Sequence, residues 1–190
     1  MSGFRKLDER EVWRGSLVWA GVGRHAAPDG AEFERDVVHH PGAVSVVPVL
    51  DGGGVLLVRQ YRSAVDRLLL EIPAGKRDVH GEAPEVTAGR ELEEEVGMRA
   101  GRLVKLAEFY NSPGFCDEHS HVYMGLDLEP CETSFQGVEE THMTLERFAM
   151  DEVPGLIATG AIVDAKTIIG LCLAREALAA APGGRARERP

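Results

Sequence analysis

The chain has 190 residues, enough for one domain with a sizeable core, and 44% of them are hydrophobic while 27% are charged. Its formal net charge of −10 disfavours attraction to nucleic acid or to anionic lipid, so neither is an expected partner. Three widely spaced cysteines predict neither a disulfide framework nor a cysteine-based zinc site, and no apolar run is long enough to span a membrane, so we expect a cytoplasmic protein.

The first 40 residues are predicted to form a small antiparallel β element. Residues 12–20 mix aromatic and β-branched side chains, as strands do, and residues 33–39 resume that pattern. A Pro-Asp-Gly turn signal at residues 28–30 separates the two segments. We therefore expect residues 1–40 to precede the main domain as an element of their own.

The main domain is predicted to span residues 41–180 and to mix strands with helices, which is typical of the α/β or α+β classes. Apolar runs bounded by glycine or proline mark the strands, and an apolar, alanine-rich helix is expected within residues 159–180. The strand candidates are 43–50, 55–61, 68–72, 103–110 and 121–128. The tail, residues 181–190, is predicted to be disordered.

The clearest helix is predicted over residues 84–96. Pro84 suits the first turn, where its missing N–H costs no hydrogen bond, and Gly97 stands where a glycine cap belongs. Apolar residues recur between them at roughly helical spacing. Polar loops are expected later in the chain, at residues 111–119 and 136–142.

Three glutamates share one face of this helix. Glu91 and Glu95 are four residues apart, so their side chains lie one above the other, and Glu94 is three residues from Glu91. Like charges at these spacings repel by roughly 0.2–0.5 kcal/mol per pair, and the C-terminal end of a helix disfavours anions. A hard divalent cation would make the arrangement favourable, because it prefers carboxylate oxygens. The alternative is a solvated acidic face on which Arg90 pairs with Glu94.

The sequence around this helix resembles the Nudix box, G-x5-E-x7-R-E-U-x-E-E-x-G-U, in which U is a bulky aliphatic residue. Glu82 is followed after seven residues by Arg90-Glu-Leu-Glu-Glu-Glu-Val-Gly-Met98, so every position from 82 to 98 is met. The departure is Gly75, which six residues rather than five separate from Glu82. The resemblance implies a Nudix α/β/α sandwich with a mixed sheet, and a hydrolase that uses Mg²⁺ or, as an alternative, Mn²⁺.

The resemblance assigns metal-binding roles to the box. The implied ligands are Ala74 through its main-chain carbonyl, Glu82, Glu91, Glu94 and Glu95. Glu91 and Glu95 would be the principal ligands, and Glu94 would be a further ligand or would orient the attacking water. Glu82 would support the site or bind a second metal ion. Arg90 would orient the carboxylates through charge-assisted hydrogen bonds.

A further resemblance, to the ADP-ribose pyrophosphatases of that family, lies in loop 111–118. Its Ser-Pro-Gly sequence places Pro113 sixteen residues past Gly97, the spacing of that subgroup. The resemblance implies hydrolysis of ADP-ribose, a small-molecule nucleoside diphosphate substrate, to AMP and ribose 5-phosphate. The implied substrate-binding residues are Arg35, Arg62, Gly114 and Glu118, with the arginines as clamps on the diphosphate or the ribose. For each arginine the alternative is an ordinary surface position. Candidates for an adenine contact are Leu17, Trp19 and Phe33, whose alternative is a place in the core.

The catalytic base is expected on the late polar loop 136–142, because similar enzymes carry it there rather than on the box helix. Glu140 is the first candidate and Glu139 the second, since the register of the loop leaves both open. Glu118 is a weaker candidate, and Glu94 is the box carboxylate that would assist. The alternative is a solvated acidic loop without a catalytic role.

The resemblance also implies a homodimer in which the N-terminal β elements are exchanged between subunits. Forty residues of sheet would hardly fold alone, which favours docking on a second subunit. Two other functions stay open: hydrolysis of another nucleoside diphosphate sugar such as GDP-mannose, and non-catalytic nucleotide sensing. Sensors on this scaffold commonly lose box carboxylates, whereas Glu91, Glu94 and Glu95 are all present here.

Overall fold

A computed structural model describes residues 3–134, 138 and 140–180 of the chain. The predictions that concern Glu139 and the tail, residues 181–190, therefore lie outside the described residues. Among the helices of the described part, none is long and apolar enough to cross a membrane.

The predicted N-terminal β element is confirmed as a three-stranded antiparallel sheet, but residues 12–20, predicted as one strand segment, contain the end of the first strand, a turn and the start of the second. Its strands are β1 (Arg5–Arg14), β2 (Trp19–Ala26) and β3 (Glu32–His39), with β2 in the centre. The Pro-Asp-Gly turn joins β2 to β3, and Gly30 there has a φ of +87°, which a residue without a Cβ adopts readily. Most side chains of β1 are exposed, so this sheet buries little surface within one chain.

The second sheet is mixed and contains seven strands. They are β4 (Ala43–Leu50), β5 (Gly54–Arg62), β6 (Arg67–Glu71), β7 (Ala74–Lys76), β8 (Met98–Tyr110), β9 (His119–Pro130) and β10 (Thr144–Ala149). The order is β10-β5-β4-β9-β8, with β6 beside β5 and β7 beside β4. β4 and β9 run parallel, and the other pairs are antiparallel.

Helices cover both faces of the mixed sheet. They are α1 (Pro84–Glu91), α2 (Val153–Ala158) and α3 (Ala165–Ala180). On β4, Val47 and Val49 belong to the apolar cluster that includes α2 and α3, while Val44 and Val46 belong to the cluster that includes α1. Because successive side chains of a strand point to opposite faces, one continuous apolar strand supplies both cores. The predicted α/β/α sandwich with a mixed sheet is confirmed.

The helix predicted over residues 84–96 begins at Pro84 as expected, but its last turn has a different pitch. After α1, residues Leu92–Val96 form a π-helical turn, and Gly97 ends it in the left-handed conformation with a φ of +66°. Such turns are rare and occur often at functional sites. The π turn therefore sets the positions of the last glutamates of the box.

The structure extends or adds several elements. The helix expected within 159–180 begins at Ala165, because the Asp164 carboxylate accepts hydrogen bonds from the amide and hydroxyl of Thr167, at 2.9 and 2.6 Å, and caps it. Strands β8 and β9 are longer than predicted. The sequence analysis did not predict β7, β10 or α2.

Candidate active site

A cleft of about 830 Å³ collects residues from the box helix, the late loop and three strands. The predicted site residues that line it are Arg62, Ala74, Glu91, Glu94, Glu95, Glu118 and Glu140. A smaller depression of about 350 Å³, around Met150 and Arg175, contains none of the predicted residues. The sequence-predicted carboxylates, which are up to 49 positions apart, therefore meet in one concave site.

The acidic face of the box helix turns into this cleft. Glu95 is 5% exposed, and the side chains of Glu91 and Glu94 are 14% and 16% exposed. Their neighbour Glu93 points outwards, is 37% exposed, and accepts a hydrogen bond of 2.8 Å from Arg99. The contrast matters because the alternative, a solvated acidic face, describes Glu93 but not the other three.

Arg90 organises the carboxylates of the box. One guanidinium nitrogen, Nη1, lies 2.9 Å from an oxygen of Glu91 and 3.0 Å from an oxygen of Glu94. The other, Nη2, lies 3.4 Å from Glu82, whose carboxylate also accepts a 2.7 Å bond from the hydroxyl of Thr87. Glu82 is therefore behind the cleft wall and reaches the site through Arg90. The orienting role predicted for Arg90 fits these contacts.

Strand β7 closes the cleft against the box helix. The amide N–H of Ala74 donates a 3.1 Å hydrogen bond to Oε2 of Glu95. Gly75 lies so close to Glu91 that a Cβ on residue 75 would overlap the Glu91 carboxylate. A Cβ at residue 75 would therefore force the Glu91 carboxylate to move, and the extra residue before Glu82 does not displace Gly75 from this contact.

Burial and the repulsion of neighbouring charges raise the pKa of two of these carboxylates, Glu91 and Glu95. Burial raises the pKa of Glu95 to about 8, with the charges of Glu91 and Glu140 adding to the effect, while the Ala74 amide and Arg62 oppose it. Burial also raises the pKa of Glu91, and Glu94 and Glu140 raise it further against the opposing effect of Arg90. A divalent cation bound in this cleft would reduce the repulsion between these negative charges.

Cationic side chains stand on the opposite wall of the cleft. Arg62 donates two 2.7 Å hydrogen bonds to the buried carboxylate of Glu71. Lys166, at the start of α3, pairs with Glu71 and lies 2.9 Å from Asp164. Although burial opposes ionisation, the two cations hold the pKa of Glu71 below its ordinary value. The sequence analysis named Arg62 but missed Lys166, which belongs to no recognisable motif.

Loop 111–118 reaches the cleft through Glu118, which lies 3.9 Å from the His40 ring. The loop is bonded to β3, because the amide of Val38 donates to the carbonyl of Phe115 at 2.7 Å. Gly114 does not line the cleft, and a Cβ there would meet no atom within 4 Å. In this single chain Gly114 is therefore not placed to contact a substrate in the cleft.

The other predicted substrate contacts divide between the cleft and the N-terminal sheet. Leu17 lines the cleft, whereas Trp19 stacks on His39 with ring centroids 3.8 Å apart. Arg35 lies over the ring of Phe33 at 4.8 Å and donates to a neighbouring carbonyl, away from the cleft of its own chain. A role for Arg35 in this chain's own cleft is not supported by its position.

The late loop brings Glu140 to the site. Residues Glu140–His142 form a 3₁₀ turn, and Glu140 lines the cleft close enough for its charge to raise the pKa values of Glu91 and Glu95. The second candidate, Glu139, lies outside the described residues. The structure therefore places the first candidate base in the same cleft as the carboxylates of the box helix.

Comparison with known proteins agrees with this geometry. A family model described as NUDIX domain matches residues 39–170. The ADP-ribose pyrophosphatase of Bacillus subtilis (strain 168) is 36% identical over 86% of this chain and 88% of its own length. That of Mycobacterium tuberculosis (strain ATCC 25618 / H37Rv) is 38% identical over 98% of this chain and 88% of its own length. A crystal structure of an ADP compounds hydrolase has a TM-score of 0.81 and covers 92% of this chain and 94% of its own; at 23% identity it shows the shared fold.

Proposed function

This chain belongs to the Nudix family of hydrolases, and from that premise we propose that it cleaves the diphosphate of ADP-ribose, with Mg²⁺, to give AMP and ribose 5-phosphate. The observation that carries the proposal is the set of buried carboxylates, Glu91, Glu94 and Glu95, gathered in a cleft that also presents Arg62 and Lys166. Carboxylates hold the metal, and cations face an anionic substrate.

The ligand chemistry of the cleft fits magnesium. Its lining offers carboxylate oxygens, to which the family resemblance would add the main-chain carbonyl of Ala74, and oxygen donors are what Mg²⁺ prefers. Glu91 and Glu95 would be the principal ligands and Glu94 a further one, while Glu82 would support them through Arg90. Bound Mg²⁺ would neutralise the diphosphate and make water a better nucleophile.

The chain's own residues supply the remaining chemistry. Glu140 would accept the proton of the attacking water as its oxygen bonds to phosphorus, and the phosphoanhydride bond would break with the second phosphate as the leaving group. Arg62 and Lys166 would position the diphosphate from the opposite wall. Arg90 keeps the box carboxylates in place throughout, because it contacts three of them.

The substrate assignment is tested by a panel of nucleoside diphosphate compounds with and without Mg²⁺, followed by product analysis. We expect magnesium-dependent conversion of ADP-ribose, and only weak conversion of GDP-mannose. Preferential turnover of GDP-mannose would replace ADP-ribose with the alternative sugar nucleotide. Binding of ADP-ribose without products would instead identify a nucleotide sensor.

The residue roles are tested by Glu95→Gln and Glu140→Gln, with Glu93→Gln as the matched control. Glu93 carries the same charge on the same helix but points to solvent. We expect Glu140→Gln to lose about 10²–10⁴-fold in kcat, the usual contribution of a general base, and Glu93→Gln to stay near wild type. A folded Glu140→Gln variant with full activity would remove Glu140 as the base and leave Glu139 to be tested.

We also propose that the chain works as a cytoplasmic homodimer. Three large apolar side chains on β1 or just before it, Phe4, Val12 and Trp13, are 50–58% exposed, and exposed apolar patches often mark protein–protein interfaces. Residue Arg35 lies in the same sheet, outside its own chain's cleft, and a second subunit would give it a different environment. The three described cysteines are unpaired, which suits a reducing compartment. Sedimentation equilibrium should give a dimer at micromolar concentration; a monomer there would reject the assembly.

A further inference from the structure

A cluster of metal-binding side chains lies on the β8–β9 pair, outside the candidate active site. Glu108 on β8 pairs directly across from His121 on β9, and His119 lies two residues earlier on the same face of β9. One ligand atom from each of the three lies within 4.8 Å of the other two. None of these three residues lines the cleft. The antiparallel register thus brings two imidazoles and a carboxylate together.

His121 is buried without a hydrogen-bond partner. Its side chain is 9% exposed, and neither ring nitrogen makes a hydrogen bond within the described residues, although Nδ1 lies 3.3 Å from an oxygen of Glu108. A neutral imidazole carries one donor and one acceptor, so burial of both without a hydrogen bond is unfavourable and calls for an explanation.

The spacing of the donors suits a tetrahedral metal ion. Nδ1 of His121 and Oε2 of Glu108 are 3.3 Å apart. Two ligand atoms that each lie about 2.1 Å from a tetrahedral zinc ion are about 3.4 Å from each other. The His119 ring stands edge-on to that of His121, with centroids 4.7 Å apart, and one of its nitrogens lies within 4.8 Å of a donor atom of each of the other two residues.

We propose that Glu108, His119 and His121 form a binding site for a transition-metal ion of the zinc class, with water completing the coordination. Two imidazoles and one carboxylate form a donor set for zinc, cobalt or iron rather than for magnesium, which prefers oxygen ligands alone. The site is therefore chemically distinct from the carboxylate cleft, and it does not depend on the proposed hydrolysis.

The metal would tie together the two ends of loop 111–118. Glu108 precedes the loop, His119 follows it directly, and the loop carries Glu118 into the cleft. Coordination of one ion by residues at both ends of the loop would restrict the loop in the way that a cross-link does. Occupancy would slow hydrogen exchange of the loop amides.

Lys105 is the competitor that limits the affinity of this site. Its ammonium donates a 2.7 Å hydrogen bond to Oε2 of Glu108, the oxygen that faces His121. Both side chains of this pair are 49% exposed, so the pair is of the weak surface kind that a metal ion can displace. Removing the lysine charge should therefore tighten metal binding, an effect that a merely structural cluster would not show.

The experiment titrates the full chain with Co²⁺ in excess Mg²⁺, which occupies the oxygen-rich cleft, and follows the visible absorption of four-coordinate Co²⁺. We expect one equivalent of Co²⁺ that Zn²⁺ displaces. Glu108→Gln and His119→Asn should each weaken binding by about tenfold or more. Lys105→Gln should tighten it by up to about fivefold, the value of an exposed ion pair.

Two controls keep the test independent of the active site and of general charge. Arg99→Gln removes one positive charge from the same strand, in an exposed pair with Glu93, and should leave the Co²⁺ affinity unchanged. A Glu91→Gln/Glu95→Gln double variant should retain the absorption even though its cleft is impaired. Absence of a zinc-displaceable signal in the wild type, or its survival in both Glu108→Gln and His119→Asn, would overturn the proposal.

Discussion

The carboxyl group of Glu95 is buried, accepts a main-chain hydrogen bond and has two like-charged neighbours. It is 5% exposed, it accepts the amide of Ala74, and the charges of Glu91 and Glu140 act on it. With a pKa raised to about 8, it is largely protonated at neutral pH when no cation is present. The proposed binding of a metal ion to Glu95 would therefore release that proton.

We predict that Mg²⁺ binds more tightly as the pH rises towards 8. Below the raised pKa, the metal must displace one proton, so the affinity should fall by about tenfold for each pH unit. Calorimetric titration in buffers of different ionisation enthalpy should show close to one proton released per ion at neutral pH. An Mg²⁺ affinity that does not change across this range would contradict the coupling.

The same pKa sets a stability prediction for the metal-free protein. Because the folded value lies above the ordinary 4.5, the folded state holds the extra proton between 4.5 and about 8, so this contribution to the free energy of unfolding decreases as the pH rises through that window. Glu95→Gln should remove this part of the pH dependence, while Glu93→Gln should keep it. Melting temperatures measured without metal at several pH values provide the check.

The sequence predicted the residues of the box because their chemistry is local. Glu91, Glu94 and Glu95 lie within one helical turn of each other, so spacing alone placed them on one face. Lys166 could not be found in this way, since it enters the cleft through the packing of α3 on the sheet, 71 positions after Glu95. Arg35 shows a limit of prediction by resemblance. The resemblance suggested that Arg35 clamps the substrate, but in a single chain it does not line the cleft.

At the level of elements, the packing of β7 against the box helix involves a close approach at Gly75. A methyl group at residue 75 would overlap the carboxylate of Glu91. We predict that Gly75→Ala moves that carboxylate and weakens Mg²⁺ affinity by about tenfold or more, as displaced metal ligands do. Gly114→Ala, in loop 111–118, is the control because its new methyl group meets nothing within 4 Å. Equal Mg²⁺ affinity in the two variants would exclude the steric role.

The end of the box helix depends on Gly97 in two separable ways. Its φ of +66° disfavours any Cβ, by roughly 1–2 kcal/mol, and a Cβ there would lie 2.9 Å from Thr133 and 3.1 Å from the Cys131 carbonyl. Gly81 has a φ of +80° with nothing within 4 Å, so Gly81→Ala measures the backbone cost alone. Urea denaturation should show Gly97→Ala to be the less stable of the two variants. Equal free energies of unfolding would mean that the neighbours simply move aside.

Apolar periodicity predicted this helix but not its π-helical last turn. The periodic residues were Val86, Leu92 and Val96; the structure buries Leu92 and Val96 despite the local change of pitch, whereas Val86 is 59% exposed. Strand β10 was missed for a related reason. It lies at the sheet edge with alternating partial exposure, so its sequence carries a weaker signal than the continuous apolar run of β4.

For the whole molecule, the contacts between the N-terminal sheet and the catalytic domain converge on His39. Its Nε2 lies 2.8 Å from Glu9 on β1, its Nδ1 lies 2.5 Å from Asp117 on loop 111–118, and its ring stacks on Trp19 of β2. The amide of His40 also donates to Asp117, at 2.9 Å. One side chain thus connects two strands of the sheet with the loop that carries Glu118.

We predict that this connection makes stability depend on pH near neutrality. Burial of the ring acts to lower its pKa, but the hydrogen bonds and charges of Glu9 and Asp117 outweigh it, so the pKa of His39 is raised above 6.5. Its stabilising contribution is then fully present below 6.5 and is lost as the pH rises through the folded value. The difference in free energy of unfolding between wild type and His39→Gln should shrink over that interval.

His25→Gln, which removes a histidine of the same sheet that stacks on Phe33, is the control. Hydrogen exchange of residues 111–118 should accelerate in His39→Gln alone, whereas a stability difference that is constant with pH would show that His39 acts there only through packing.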